Sequence, residues 1–390
     1  MPKKSIKDID LAGTRILARV DFNVPLDGGE VQDDFRIQAT LPTLRCLLEN
    51  GAGIALCSHL GRPKGEVRED LRMDPVGKRV ADLLGRRVKK LNDCVGPEVE
   101  ETVGTMGAGD IVLLENTRFH SGEKENDPEF GSRLARGFDI FVNDAFAAAH
   151  RAHASTAGVA EHLPAVAGLL MKREMDALEK VRINPEAPFS LVMGGAKISD
   201  KIPVLDTFRE HVGHILVGGG IANTLLKARG VEVGDSLVEE DSLEEAGRIL
   251  DEAGDRLVLP SDVVVAESRE DGASRKTVEV EAVPEGWQIL DVGDETMKGF
   301  QEILGEAATV LWNGPLGLFE MEPYQAGTFV MARTLAELDA TTITGGGETA
   351  AAVSRAGVMD GMTHVSTGGG AFLEFMQGKT LPGIAALQDG

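Results

Sequence analysis

Cysteine is scarce. Cys46, Cys57 and Cys94 are the only three in 390 residues, an odd number with no CxxC spacing. That excludes a disulfide framework and a structural zinc site, and it suits a reducing compartment. Cys57-Ser58-His59 could begin a metal site, but it has no partner pair in the sequence and reads as a buried thiol. Positive charge is scarce too: 40 basic residues face 63 acidic ones, a net charge of −23. Such a surface repels nucleic acid and anionic membranes, so neither is an expected partner. Among the cations Arg outnumbers Lys, 24 to 16. No apolar run approaches the ~18 residues of a membrane span. The basic start, MPKKSIKDID, is followed by no apolar stretch and so does not read as a signal peptide. The expectation is a soluble, cytoplasmic protein of two domains or one large one.

Short apolar runs alternate with helical patterns. Arg15 to Val20 reads as a strand that runs into Asp21-Phe22-Asn23-Val24-Pro25. Asp33 or Asp34 can cap a helix from Phe35 to about Asn50, with Ile37, Leu41, Leu44 and Leu48 at helical spacing. Arg36 falls in its first turn, where the helix dipole disfavours a cation. Ile54 to Cys57 and Ile111 to Leu114 read as strands, with a helix from about Pro75 to Leu84 between them. A further apolar run, Phe138 to Val142, breaks at Asn143-Asp144. Leu163 to Val181 reads as one helix carrying Leu169, Leu170, Met175 and Leu178, and the domain junction falls on it. Strands alternating with helices imply a parallel sheet, whose ligands bind beyond the carboxyl ends of its strands. That edge would gather Asp21, Asn23, His59, Arg62, Arg118, His150, Arg151 and His153, with Arg36 close by. One cationic loop is ordinary solvated surface. Several on one sheet edge of an acidic chain read as a site for a multiply charged anion.

The second half repeats the pattern with glycine in place of arginine. Strands at Ser190–Met193, Ile215–Val217, Val310–Trp312, Thr341–Thr344 and Val365–Thr367 each run into a glycine-rich loop, and Val263–Ala266 is a further candidate strand. Three Gly-Gly-Gly triplets, each after a strand and before a helical stretch, suggest backbone N–H groups and helix N-termini turned toward phosphates. No GxxxxGK[ST] motif occurs, which excludes a P-loop. Gly345-x-Gly347-x-x-Ala350 fits a loose dinucleotide fingerprint, but no acidic residue follows about 20 positions later to hold a ribose. A dinucleotide-dependent dehydrogenase is therefore the weaker alternative. A non-catalytic phosphate-binding protein would not need two anion sites. Two such sites on separate domains suit transfer between phosphorylated partners.

The chain resembles the phosphoglycerate kinase family essentially from end to end. The motifs that carry the resemblance are RVDFNVP at 19–25, SHLGRP at 58–63, ENTRF at 115–119, NDAF and AHRAHAST within 143–156, GGAKISDK at 194–201, WNGPLGLFE at 312–320 and STGGGA at 366–371. The resemblance implies an α/β fold of two Rossmann-like domains with parallel sheets facing each other across a cleft. A phosphoglycerate-binding domain would span 1–165, joined by a C-terminal segment 374–390, and a nucleotide-binding domain would span 166–373. It implies a reversible transfer from 1,3-bisphosphoglycerate to MgADP, giving 3-phosphoglycerate and MgATP, by a monomer that closes during turnover.

Carried over by position, the resemblance gives Arg19, Asp21, Asn23, Arg36, His59, Leu60, Gly61, Arg62, Arg118, His150, Arg151 and His153 to phosphoglycerate. It gives Gly195, Ala196, Lys197, Lys201, Gly219, Gly293, Asn313, Pro315, Glu320, Gly346, Gly347, Glu348 and Thr349 to the nucleotide. Arg36, Lys197, Gly347 and Gly370 would be catalytic, and Glu348 would be the magnesium ligand. The family usually has Asp where this chain has Glu348, which alters the metal geometry. It usually has Gly-Pro where this chain has Gly293-Asp294, which loosens that loop. The chemistry fits the inventory. The leaving carboxylate needs no proton and the attacking ADP oxygen is already ionised, so cations, magnesium and helix N-termini are required rather than a general base.

Overall fold

The computed structural model describes residues 2–270 and 272–390. It divides into two compact units, Met1–Asp176 with Lys379–Gly390, and Ala177–Gly378. The resemblance implies crossings at 165/166 and 373/374; the two compact units divide at 176/177 and 378/379.

The first unit is built on six parallel strands. In chain order they are β1 (Arg15–Arg19), β2 (Gly53–Cys57), β3 (Lys89–Lys90), β4 (Ile111–Leu113), β5 (Ile140–Asn143) and β6 (Ala165–Ala167). The spatial order is β3-β4-β2-β1-β5-β6. Ile16, Leu17, Ile54, Leu56, Leu113, Phe141 and Val142 are fully buried, as strands covered on both faces require. Each such side chain contributes about 1.5–3 kcal/mol over leaving it exposed. The register sets Arg19 beside Cys57 on one flank and Asn143 on the other, so the loops after β1, β2 and β5 leave the sheet at one edge.

Two local expectations are corrected. Leu163 to Val181 is not one helix: Ala165–Ala167 pairs with Phe141–Asn143 as the edge strand, and helix α2 begins only at Leu169 and runs to Ile183. Pro164, small apolar residues and Gly168 read equally well as the start of a helical face. Helix α1, Phe35–Glu49, has no side-chain cap from Asp34, whose carboxylate instead receives hydrogen bonds from Arg79 and Gln38. Asp33 accepts from the Phe35 amide at 2.9 Å.

The second unit carries another six-stranded parallel sheet. Its strands are β7 (Phe189–Met193), β8 (His214–Val217), β9 (Leu257–Val258), β13 (Thr309–Asn313), β14 (Thr341–Gly345) and β15 (His364–Val365), in the order β9-β8-β7-β13-β14-β15. The Val263 strand belongs elsewhere. It is β10 (Asp262–Ala266), the centre of an antiparallel sheet between β11 (Arg275–Glu279) and β12 (Gln288–Val292). Trp312 is fully buried in the core of this unit, and its indole N–H donates to the Gly314 carbonyl at 2.8 Å. No helix among the described residues is long and apolar enough to cross a membrane.

Candidate functional site

At the carboxyl edge of the first sheet, the loops hold one another through the side chains that the sequence pattern singled out. Arg36 donates to Asp21 at 2.7 Å and to the Asn23 carbonyl at 3.3 Å. The Asn23 side-chain oxygen accepts from the Gly61 amide at 2.8 Å, and Arg118 donates to the Gly61 carbonyl at 2.8 Å. Gly61 has φ +61, and a Cβ there would stand 2.7 Å from Leu71 Cδ2, so both conformation and space call for glycine. The Leu60 amide donates to Asn116 at 3.1 Å. Arg19, fully buried, donates to His59 Nδ1 at 2.9 Å. Arg62 and Arg151 are exposed; Arg151 Nε lies 3.1 Å from His150 Nε2.

Positive charge is crowded here. Burial, then Arg151 and Arg19, lower the Arg118 pKa to about 10. Burial, then Arg118 and Arg19, lower His153 to about 4. Burial and the same arginines hold His59 well below the usual imidazole range. Both histidines are thus neutral near pH 7, and the Arg118 Nε is buried without a hydrogen-bond partner. A cluster whose groups resist carrying charge is one that an anion relieves.

Sequence reasoning missed the groups beneath this edge. Asn116 ties Leu60, Leu71 and the Arg118 amide together. Buried Glu123 accepts from Ser155 Oγ at 2.6 Å and from the Ser155 amide at 2.9 Å. Asn116 and Ser155 lie inside the ENTRF and AHRAHAST motifs; Glu123 had no signal beyond its place just after ENTRF.

The second unit has a pocket lined by Gly195, Ala196, Gly219, Pro315, Glu320 and Glu348, with an apolar wall from Leu237, Val263, Ile289, Leu290 and Leu318. The antiparallel sheet supplies much of that wall, which the strand pattern did not reveal. Lys201 donates to Asn313, whose amide donates to the Gly345 carbonyl at 2.6 Å. Burial lowers the Lys201 pKa against the opposing pull of Asp200 and Glu348. Lys197 is exposed. Thr349 accepts from the Gly314 amide at 2.8 Å. Gly219 opens helix α3 (Gly219–Ala228), and Gly347 and Glu348 open α5 (Gly347–Arg355) with Gly346 as its cap. Gly370 opens a helix of only seven residues, Gly370–Met376. Gly293 is not in the pocket lining, although its neighbours Asp291 and Val292 are. It caps α4 (Asp294–Gly305), and Asp262 accepts from the Thr296 and Glu295 amides, so the Gly293-Asp294 turn is held rather than loosened. Glu348 is exposed and offers a single hard oxygen donor group, which suits a magnesium ion held mainly by phosphates and water.

The family model described as phosphoglycerate kinase matches residues 6–379. The chain is 52% identical to a phosphoglycerate kinase of Rubrobacter xylanophilus over 389 residues, covering 100% of this chain and 99% of the relative. It is 52% identical to one of Pelotomaculum thermopropionicum over 392 residues, covering 100% of both. Among solved structures it is similar to phosphoglycerate kinase from Coxiella burnetii, with TM-score 0.86, 40% identity, and 99% and 98% of the two chains covered. It is similar also to the enzyme from Pyrococcus horikoshii OT3, with TM-score 0.89, 32% identity and 98% of each chain covered. Nothing among these matches supports a dinucleotide-dependent dehydrogenase, and the chain belongs to the phosphoglycerate kinase family.

Proposed function

We infer that this protein is the glycolytic kinase that moves the acyl phosphate of 1,3-bisphosphoglycerate to ADP and returns 3-phosphoglycerate and ATP, reversibly. The observation that carries the reading within the structure is the crowded, incompletely paired cation cluster of Arg19, Arg36, Arg118 and Arg151 at one sheet edge. In this reading the cluster holds the phosphoglycerate. Asp21 and Asn23 orient Arg36 and the Gly61 loop, and His59 and His153 add neutral hydrogen bonds. The pocket of the second unit takes the nucleotide: its apolar wall receives the base and Glu320 the ribose hydroxyls. Lys197, Lys201 and the starts of α3 and α5 face the phosphates, where helix N-termini favour negative charge.

Magnesium would be held by Glu348 with the nucleotide phosphates, and when bound it offsets charge on the transferring phosphoryl group. The protein's own work is positioning and charge compensation. The leaving carboxylate takes no proton, and the neutral histidines need not supply one. We take the enzyme to act as a cytoplasmic monomer, as the resemblance implies. The test is a coupled assay with 3-phosphoglycerate and MgATP, which should show acyl phosphate formation. Oxidation or reduction of a substrate with NAD, with no phosphotransfer, would refute the reading.

A further inference from the structure

We propose that a buried relay, Glu123–Ser155–Arg19, fixes the tautomer of His59, so that its ring meets an anionic substrate as a neutral Nε2–H donor. The geometry leaves little freedom. The Glu123 carboxylate is fully buried and can only accept. Ser155 Oγ lies 2.6 Å from Glu123 Oε1 and must donate its single hydrogen there. Its lone pairs then face Arg19, whose Nε donates to Ser155 Oγ at 2.8 Å. The planar guanidinium is thereby oriented: Nη1 donates to the Val20 carbonyl, and Nη2 lies 2.9 Å from His59 Nδ1. A guanidinium has no acceptor, so His59 Nδ1 must be the acceptor. A neutral ring accepting at Nδ1 carries its hydrogen on Nε2.

A competitor shows why the relay matters. Asp21 Oδ1 stands 4.0 Å from the same Nδ1. Without Arg19 in place, that carboxylate would draw a proton to Nδ1, either as the other tautomer or as the imidazolium. Burial opposes protonation of the ring, and so do the other titratable groups around it, Arg118, Arg36 and His153. The relay therefore decides which nitrogen is presented. Glu123 and Ser155 are positioning residues, acting through Arg19 and His59. His153 Nδ1 lies 3.7 Å from the Glu123 carboxylate, beyond hydrogen-bond distance.

The substrate half of this inference rests on the proposed phosphoglycerate role of the edge; the tautomer half does not. The experiment is ¹⁵N NMR of histidine-labelled full-length protein at pH 7, with His59 assigned by loss of its signals in His59→Gln. Wild type should show an unprotonated Nδ1 and a protonated Nε2. A protonated Nδ1 in wild type overturns the proposal with no variant needed. In Ser155→Ala, checked for a wild-type circular dichroism spectrum, the two tautomers should mix and KM for 3-phosphoglycerate should rise roughly tenfold, the scale of one charge-assisted hydrogen bond. Its kcat should fall less. A Ser155→Ala protein that keeps the Nε2–H tautomer also overturns the relay. If the tautomer follows the relay but saturating 3-phosphoglycerate leaves the His59 resonances of wild type unmoved, the relay stands and the phosphoglycerate assignment of this edge falls.

Discussion

Arg36 sits where helix electrostatics disfavour it, in the first turn of α1, and Asp21 at 2.7 Å offsets the misplaced charge. The sequence exposed this residue through that conflict, but only the structure shows that the carboxylate partner holds its guanidinium at the basic edge. Arg36→Ala should lower kcat by at least ~100-fold, as removal of one preorganised donor to developing charge does, while KM for 3-phosphoglycerate rises less. Asp21 is buried, so some loss of melting temperature should accompany the change. Unchanged kcat with raised KM would limit Arg36 to substrate binding. Glu348 raises a different question, because its place at the start of α5 also suits the helix dipole, an effect worth at most ~1 kcal/mol at an exposed site. Glu348→Gln keeps the shape and removes the charge. If the carboxylate serves the metal, half-maximal rate should require much more magnesium, while the melting temperature without nucleotide barely changes. A normal magnesium requirement with reduced stability would leave Glu348 as a helix-terminal acid.

The main strands were legible because parallel strands buried on both faces are continuous apolar runs, and the cationic and glycine loops follow them directly. Other features were not. Ala165–Ala167 merged with the apolar pattern of α2, since small residues before a helix satisfy either period. Glu123 and Ser155 resemble any solvated loop residues until burial is known. Asp144 joins two of these elements: at the end of β5, it accepts from the Met171 amide of α2 at 3.0 Å. Burial raises its pKa to about 6, outweighing Thr43 and the Met171 and Leu170 amides, which favour the charged form. Its folded pKa thus lies above the unfolded value of ~3.9. The stability that it contributes is full below about pH 4 and is lost as pH rises through about 6, at most about 3 kcal/mol. Asp144→Asn can keep the Met171 hydrogen bond through its carbonyl oxygen. Urea melts across this range should show wild type losing stability toward pH 8, while Asp144→Asn stays flatter and ends more stable. Parallel curves for the two proteins would show that Asp144 does not carry this penalty.

A net charge of −23 is compatible with a site for anions because several arginines are gathered at one sheet edge. The chain visits the first unit twice, and its ends meet there. The Gly390 amide donates to the Pro2 carbonyl at 2.7 Å, and Lys3 pairs with Asp389 at 2.9 Å. The Gln388 amide donates to the Ala165 carbonyl at 2.9 Å, extending the contact to the edge strand. Leu381 and Leu387 are buried in the same unit. Gly383 lies against the basic edge: its amide donates to the Ala149 carbonyl at 2.8 Å, one residue before His150 and two before Arg151, and its carbonyl accepts from Asn143 at 3.2 Å. The last twelve residues, 379–390, therefore complete the first unit and brace its cationic loop, while the pocket of the second unit lies wholly outside them. Truncation after Gly378 should cost several kcal/mol, since losing one buried Leu commonly costs about 2–5 kcal/mol. Its signature should be asymmetric. Affinity for 3-phosphoglycerate should fall at least ~10-fold by analogy with losing charge-assisted contacts in the braced loop, while ADP affinity, measured by calorimetry below the lowered melting temperature, should stay within about twofold of wild type. Equal losses for both ligands would mean that the segment supports the whole molecule rather than the unit it completes.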